Sequence, residues 1–237
     1  MALKRNVRIA VLFPSTGLID REICDMAEER GADALIYKVA PQSIAAEHDA
    51  EAVAAMVTDM GSPSTLAAVA RTAAAVSPDV VVWACTSGSF LGGGQRGHEQ
   101  ASAMSEALGG IPATTTSIAI AAALERRGAR RVAVVTPYHP DIGERFVQYL
   151  RDRGYEPAPA THAGCGSDEA VGALTLEVLL PLARAAVTPD CQALVIPCTA
   201  VRRQDLEAEL GKTFGIPVIL ANSATLDHCL DLARKSA

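Results

Sequence analysis

Asp79-Val80-Val81-Val82-Trp83-Ala84-Cys85-Thr86 is a short β-branched run that ends on a Cys-Thr pair, and Ala193-Leu194-Val195-Ile196-Pro197-Cys198-Thr199 repeats the pattern in the second half of the chain. Apolar runs of this length, without polar alternation and too short for a helix, read as strands buried on both faces, as in parallel sheets. Outward from these two runs, further strands are expected over 7–13, 34–40, 111–116, 131–137 and 216–221, with a less regular one over 155–160. Long Ala-, Leu- and Glu-rich segments between them read as helices. Ser62-Pro63 supplies an N-cap followed by proline at the first helical position, and Ser167-Asp168-Glu169 places acids in a first turn. Gly31, Gly128, Gly154 and Gly215 fall where helices should stop. The alternation predicts an α/β protein with parallel sheets.

Two further segments recur in the same order as the Cys-Thr runs, so the chain reads as a duplication. Arg8-Ile9-Ala10-Val11-Leu12-Phe13-Pro14-Ser15 matches Arg131-Val132-Ala133-Val134-Val135-Thr136-Pro137-Tyr138. Ile111-Pro112, leading to Ser117, matches Ile216-Pro217, leading to Ser223. The expected division is an N-terminal lobe over 1–116, with residues 222–237 packing back on it, and a C-terminal lobe over 117–221. In parallel sheets ligands bind beyond the carboxyl ends of strands, where helix N-termini present free N–H groups. Cys85 and Cys198 both stand at such ends. Related by a pseudo-twofold axis, their thiols would face each other across one cleft. Opposed thiols suit proton removal and return on opposite faces of a carbon, or thiolate addition to a double bond followed by rotation and elimination.

The composition narrows the field. The 237 residues are 49% apolar and carry 27 acidic against 21 basic side chains, a net charge of −6, which disfavours a nucleic-acid surface. No stretch reaches the length of a membrane span. Basic residues precede an apolar stretch near the start, but Arg8 interrupts it and Pro14 ends it without a small-residue cleavage site, so it reads as a strand and the expected location is cytoplasmic. Six cysteines are too few for a disulfide scaffold, and neither they nor the five histidines show metal-ligand spacing. Cys24 and Cys229 read as helix core and Cys191 as structural; Cys165 lies in a Gly-flanked loop with no counterpart in the other half. Gly92-Gly93-Gly94-Gln95-Arg96-Gly97 satisfies a GxGxxG pattern but lies past its strand and reads as a loop or lid. Ala-rich faces over 67–76 and 119–124 read mostly as core, with a homo-oligomer interface as the other use.

Cys85-Thr86-Ser87-Gly88-Ser89-Phe90, Pro197-Cys198-Thr199, Phe13-Pro14-Ser15-Thr16 and Thr136-Pro137-Tyr138 together resemble the aspartate/glutamate racemase superfamily. Within it, they resemble the branch of maleate cis-trans isomerases and arylmalonate decarboxylases, over nearly the whole chain. The resemblance implies two pseudo-symmetric flavodoxin-like lobes, an active site in the cleft between them, and neither metal nor organic cofactor. It makes Cys85 the nucleophile or first base and Cys198 the opposing acid/base. Ser15, Thr16, Thr86, Ser87, Tyr138 and Thr199 would then hold a small carboxylate substrate. Arylmalonate decarboxylases carry glycine where Cys85 stands, so the resemblance with two cysteines points to an isomerase or racemase, most like maleate cis-trans isomerase. An amino-acid or hydantoin-type racemase and an arylmalonate-type decarboxylase are the enzymatic alternatives, and a two-lobed carboxylate-binding protein is the non-enzymatic one.

Overall fold

The computed structural model describes residues 5–15, 20–42, 49–202 and 205–236. The first half runs β1 (Val7–Pro14), α1 (Asp20–Glu29), β2 (Ala32–Val39), α2 (Ala50–Met60), α3 (Pro63–Thr72), β3 (Val80–Trp83), α4 (Thr86–Phe90), α5 (Arg96–Ala107), β4 (Ala113–Thr115) and α6 (Thr116–Arg126). The second runs β5 (Arg131–Thr136), α7 (Pro140–Asp152), β6 (Glu156–Pro157), β7 (Thr161–His162), α8 (Asp168–Gly172), α9 (Leu176–Ala186), β8 (Ala193–Ile196), α10 (Asp205–Phe214), β9 (Val218–Leu220) and α11 (Ala221–Lys235). The strands form two parallel sheets of order β2-β1-β3-β4 and β6-β5-β8-β9, with β7 also on β5. The order is the same in both, so the repeat seen in the residues is a repeat of topology: β3 and β8, which lead to the two cysteines, each lie beside the first strand of their half.

Local chemistry places the ends of these elements. Ser62 and Ser167 cap α3 and α8 by accepting from the backbone N–H groups of Thr65 and Ala170. The four glycines expected to end helices all have positive φ, between 62° and 78°. Of the irregular strand expected over 155–160, only β6 forms, and β7 follows beyond it. Pro157 and Pro159 lack N–H donors, and only Ala158 between them keeps a ladder bond, to Val132 O at 2.9 Å.

Side-chain alternation along the first sheet splits its core in two. Ile9, Val11, Phe13, Val80 and Val82 face one cluster, closed by Ile23 and Met26 of α1 and by Leu226, Cys229 and Leu230 of α11. Ala10, Leu12, Val81 and Trp83 face the other, which continues into Val132, Val134, Leu194 and Val195 of the second sheet. Helix α11 follows the last strand of the second sheet yet packs on β1, β3 and β4 of the first and along α6. One apolar core therefore runs through both halves, and the carboxyl ends of both sheets meet at a common cleft.

Candidate active site

Each cysteine sits where its strand gives way to the next segment. Cys85 is the N-cap of α4, and its Sγ accepts from the Gly88 N–H at 3.4 Å, with Ser87 Oγ at 3.7 Å. Cys198 follows β8 with φ 103°, a conformation non-glycine residues rarely adopt and one that is held at a cost. Contacts from the other half and from α11 hold it there. The Cys198 N–H donates to Thr86 Oγ1 at 3.2 Å, the Thr199 hydroxyl donates to Ala84 O at 3.3 Å, and Asn222 Nδ2 donates to Thr199 O at 3.1 Å. The two Cys-Thr segments are thus stitched to each other.

Both thiols line a cavity of about 630 Å³. Its floor is the strand ends, with Phe13 and Pro14 on one side and Tyr138 on the other. Apolar side chains of α2, among them Val53, Met56 and Met60, and residues of the segment from Gly164 to Val171 complete the lining. Thr86, Ser87, Tyr138 and Thr199 line it with the thiols. The hydroxyl of Thr199 is committed to Ala84, so it cannot donate to a bound molecule while that bond holds. Tyr138 Oη is buried and faces Cys198 and Thr86. Its ring is backed by Phe90 of α4 at 6.1 Å between centroids, and Phe90 stacks edge-on against Phe146 of α7. The N–H groups of Thr86 and Ser87, in the first turn of α4, have no partner inside their helix.

Of the expected carboxylate contacts, Ser15 stands apart from the cavity lining. Ser15 is exposed, its N–H pairs with Val39 O at 2.8 Å, and it does not line the cavity; Phe13 and Pro14 take that place. Thr16 lies outside the described residues. The glycine-rich stretch is not a lid over the cavity either. It is tied down by Arg153, which donates to Gly94 O, and by Arg96, which donates to Thr58 O.

Burial dominates the electrostatics. It pushes the Cys85 thiol up to about 11, against the pull of the Gly88 N–H and the Ser87 hydroxyl. Burial, then the charge of Asp168, raises Cys198 further, although the Ala200 N–H and Tyr138 hydroxyl oppose this. Asp168 is the site residue that sequence reasoning missed, because in the sequence it reads only as an acid opening a helix. It lines the cavity, and burial, with Glu169 beside it, pushes its carboxyl up to about 6. Cys165 lines the cavity mouth, its thiol also raised by burial. Among the described residues, no group of three or more His, Cys, Asp or Glu is placed to hold a metal ion.

The family model for arylmalonate decarboxylase matches residues 52–237. The chain belongs to the arylmalonate decarboxylase family. Among curated members, it is 30% identical over 150 residues to the arylmalonate decarboxylase of Bordetella bronchiseptica, which covers 62% of each chain. It is 31% identical over 153 residues to the maleate isomerase of Nocardia farcinica, covering 62% of this chain and 61% of that one. The matched segment thus spans less than two thirds of either relative. Solved structures extend the likeness in fold. Unliganded arylmalonate decarboxylase superposes with a TM-score of 0.79 at 25% identity, over 98% of this chain and 94% of the other. A cysteine-to-serine variant of the Nocardia farcinica maleate cis-trans isomerase, with a covalently bound succinylcysteine intermediate, superposes at 0.82 and 24% identity over 96% and 93%. The family therefore holds enzymes of two reaction types. No helix among the described residues is long and apolar enough to cross a membrane.

Proposed function

We propose that this protein is a cofactor-independent isomerase that converts a small cis-enoate to its trans isomer with Cys85 as nucleophile and Cys198 as acid/base. The observation that carries the reading is the pair of thiols at equivalent strand ends in one cavity. Cys85 is the better nucleophile of the two because its thiol is raised less, with the Gly88 N–H and the Ser87 hydroxyl directed at its sulfur. Its thiolate, having lost its proton to solvent, adds to one alkene carbon. The electron pair moves toward the substrate carboxylate, and Cys198 delivers its proton to the neighbouring carbon. After rotation about the new single bond, the Cys198 thiolate takes a proton back, the C–S bond breaks and the trans alkene leaves. Thr86, Ser87 and Tyr138 supply donors to the carboxylate on which charge develops, and the Tyr138 hydroxyl, beside Cys198 and Thr86, suits that role. The succinylcysteine of the maleate isomerase relative is an adduct of this kind.

Decarboxylation is the second reading, favoured by the family model and by the Bordetella bronchiseptica relative. Proton NMR in heavy water separates the two. Maleate, its half-amide and phenylmalonate are each incubated with wild type, Cys85→Ala and no enzyme. The isomerase reading predicts a trans-alkene signal from a cis-enoate with wild type only. Loss of carboxylate from phenylmalonate, with both cis-enoates unchanged, would replace it with the decarboxylase.

A further inference from the structure

A half-buried carboxylate in the cavity lining, that of Asp168, has no partner among the described residues. Asp168 makes no hydrogen bond or ion pair among the described residues, although it shares the cavity with both thiols, and its burial is what raises its carboxyl. The described lining includes Glu169 but no Lys or Arg; its histidine, His139, has Nδ1 engaged by Asp141, whose N–H donates to it at 3.4 Å, and the α2 side chains in the lining are apolar. A substrate carboxylate has natural receivers on the side of Thr86, Ser87 and Tyr138. A second carboxylate reaching Asp168 would meet like charge with no cation to offset it, whereas a nitrogen donor would satisfy it.

Resting on the isomerase reading above, we propose that Asp168 is a specificity-determining residue that accepts a hydrogen bond from an N–H group of the substrate. The substrate class is then a cis-enoate with one carboxylate and one amide-type nitrogen, rather than a dicarboxylate dianion. The half-amide of maleate is the simplest member. Asp168 is ionised at pH 8, since its carboxyl titrates near 6, and maleate is then a dianion, so discrimination should be fully expressed there.

Calorimetric titration of the Cys85→Ala/Cys198→Ala double variant at pH 8 tests this without turnover. With Asp168 present, the half-amide should bind at least about tenfold more tightly than maleate, and adding Asp168→Asn should bring the two within about twofold. The Asp168→Ser variant serves the same purpose if the asparagine form does not fold. Maleate binding as well as or better than the half-amide overturns the proposal, and so does a preference that survives removal of the carboxylate, which would make Asp168 a structural acid of α8. Failure of both ligands to bind at millimolar concentration also overturns it. Absence of turnover by wild type, with the binding preference intact, would instead sink the isomerase reading and leave this one standing.

Discussion

Cys85 and Cys198 occupy equivalent strand ends, yet their surroundings differ in ways that assign them different tasks. Cys85 has an N–H and a hydroxyl directed at its sulfur, while Cys198 is set in a strained turn beside the Tyr138 hydroxyl and under the charge of Asp168. That charge raises both thiols. Asp168→Asn is therefore expected to lower the pKa at which Cys85 reacts with iodoacetamide, read from alkylation rate against pH with peptide mapping; an unchanged profile would separate the carboxylate from the thiols. The same carboxyl affects stability. Raised from 3.8 to about 6, it favours the folded state only while protonated, so its contribution is complete below about pH 4 and lost as pH rises through 6. The full shift corresponds to about 3 kcal/mol, and partial exposure reduces it. Urea melts should find Asp168→Asn more stable than wild type by about 1–3 kcal/mol at pH 8, with the gap closing near pH 4. Neither effect was legible in the sequence, because an acid in the first turn of a helix acquires this environment only when α8 is brought to the cavity that holds both thiols.

At the scale of elements, most strands and the repeat between the halves could be read from residues, since short unpunctuated β-branched runs and glycine stops leave few alternatives, whereas the sheet order is a finding of the structure. The contacts that hold the catalytic turns could not be read either. Gln100 is fully buried in α5, and its Nε2 donates at 2.7 Å to both Gly61 O and Gly88 O, joining the end of α2 to α4 behind Cys85. No local pattern marks a glutamine on a helix as a bracket for another helix. Gln100→Leu leaves two buried carbonyls unpaired and should cost about 2–4 kcal/mol in denaturant melts. Because α4 carries the donors to Cys85, kcat should fall about tenfold or more, as small displacements of a reacting group cost heavily. Stability lost with kcat intact would show that α4 does not depend on this bracket. Ser15, expected in the site by resemblance, is exposed and is not part of the described lining, which takes Phe13 and Pro14 from the end of β1 instead.

For the whole molecule, the duplication is visible in the sequence, but the way the halves share structure is a tertiary fact. Leu226 of α11 is fully buried against the first sheet although its helix follows the last strand of the second, and the larger core cluster passes from Trp83 to Val134 without a break. The halves should therefore unfold together. Leu226→Ala is expected to destabilise the protein by about 2–5 kcal/mol while calorimetry still shows a single transition. Two separated transitions would mean that the lobes are energetically independent. The shared core also explains why the cleft is preorganised: Thr86 and Thr199 each bond across the duplication, fixing both thiols in one frame. The assignment of Cys85 as nucleophile and Cys198 as its acid partner is tested most directly by trapping. Cys198→Ser is mixed with a turned-over cis-enoate, quenched in acid and mapped by peptide mass spectrometry. A single adduct of one substrate mass on Cys85, absent from Cys85→Ala, is the predicted result; an adduct on Cys165, or none at all on any cysteine while wild type turns over, would contradict the account.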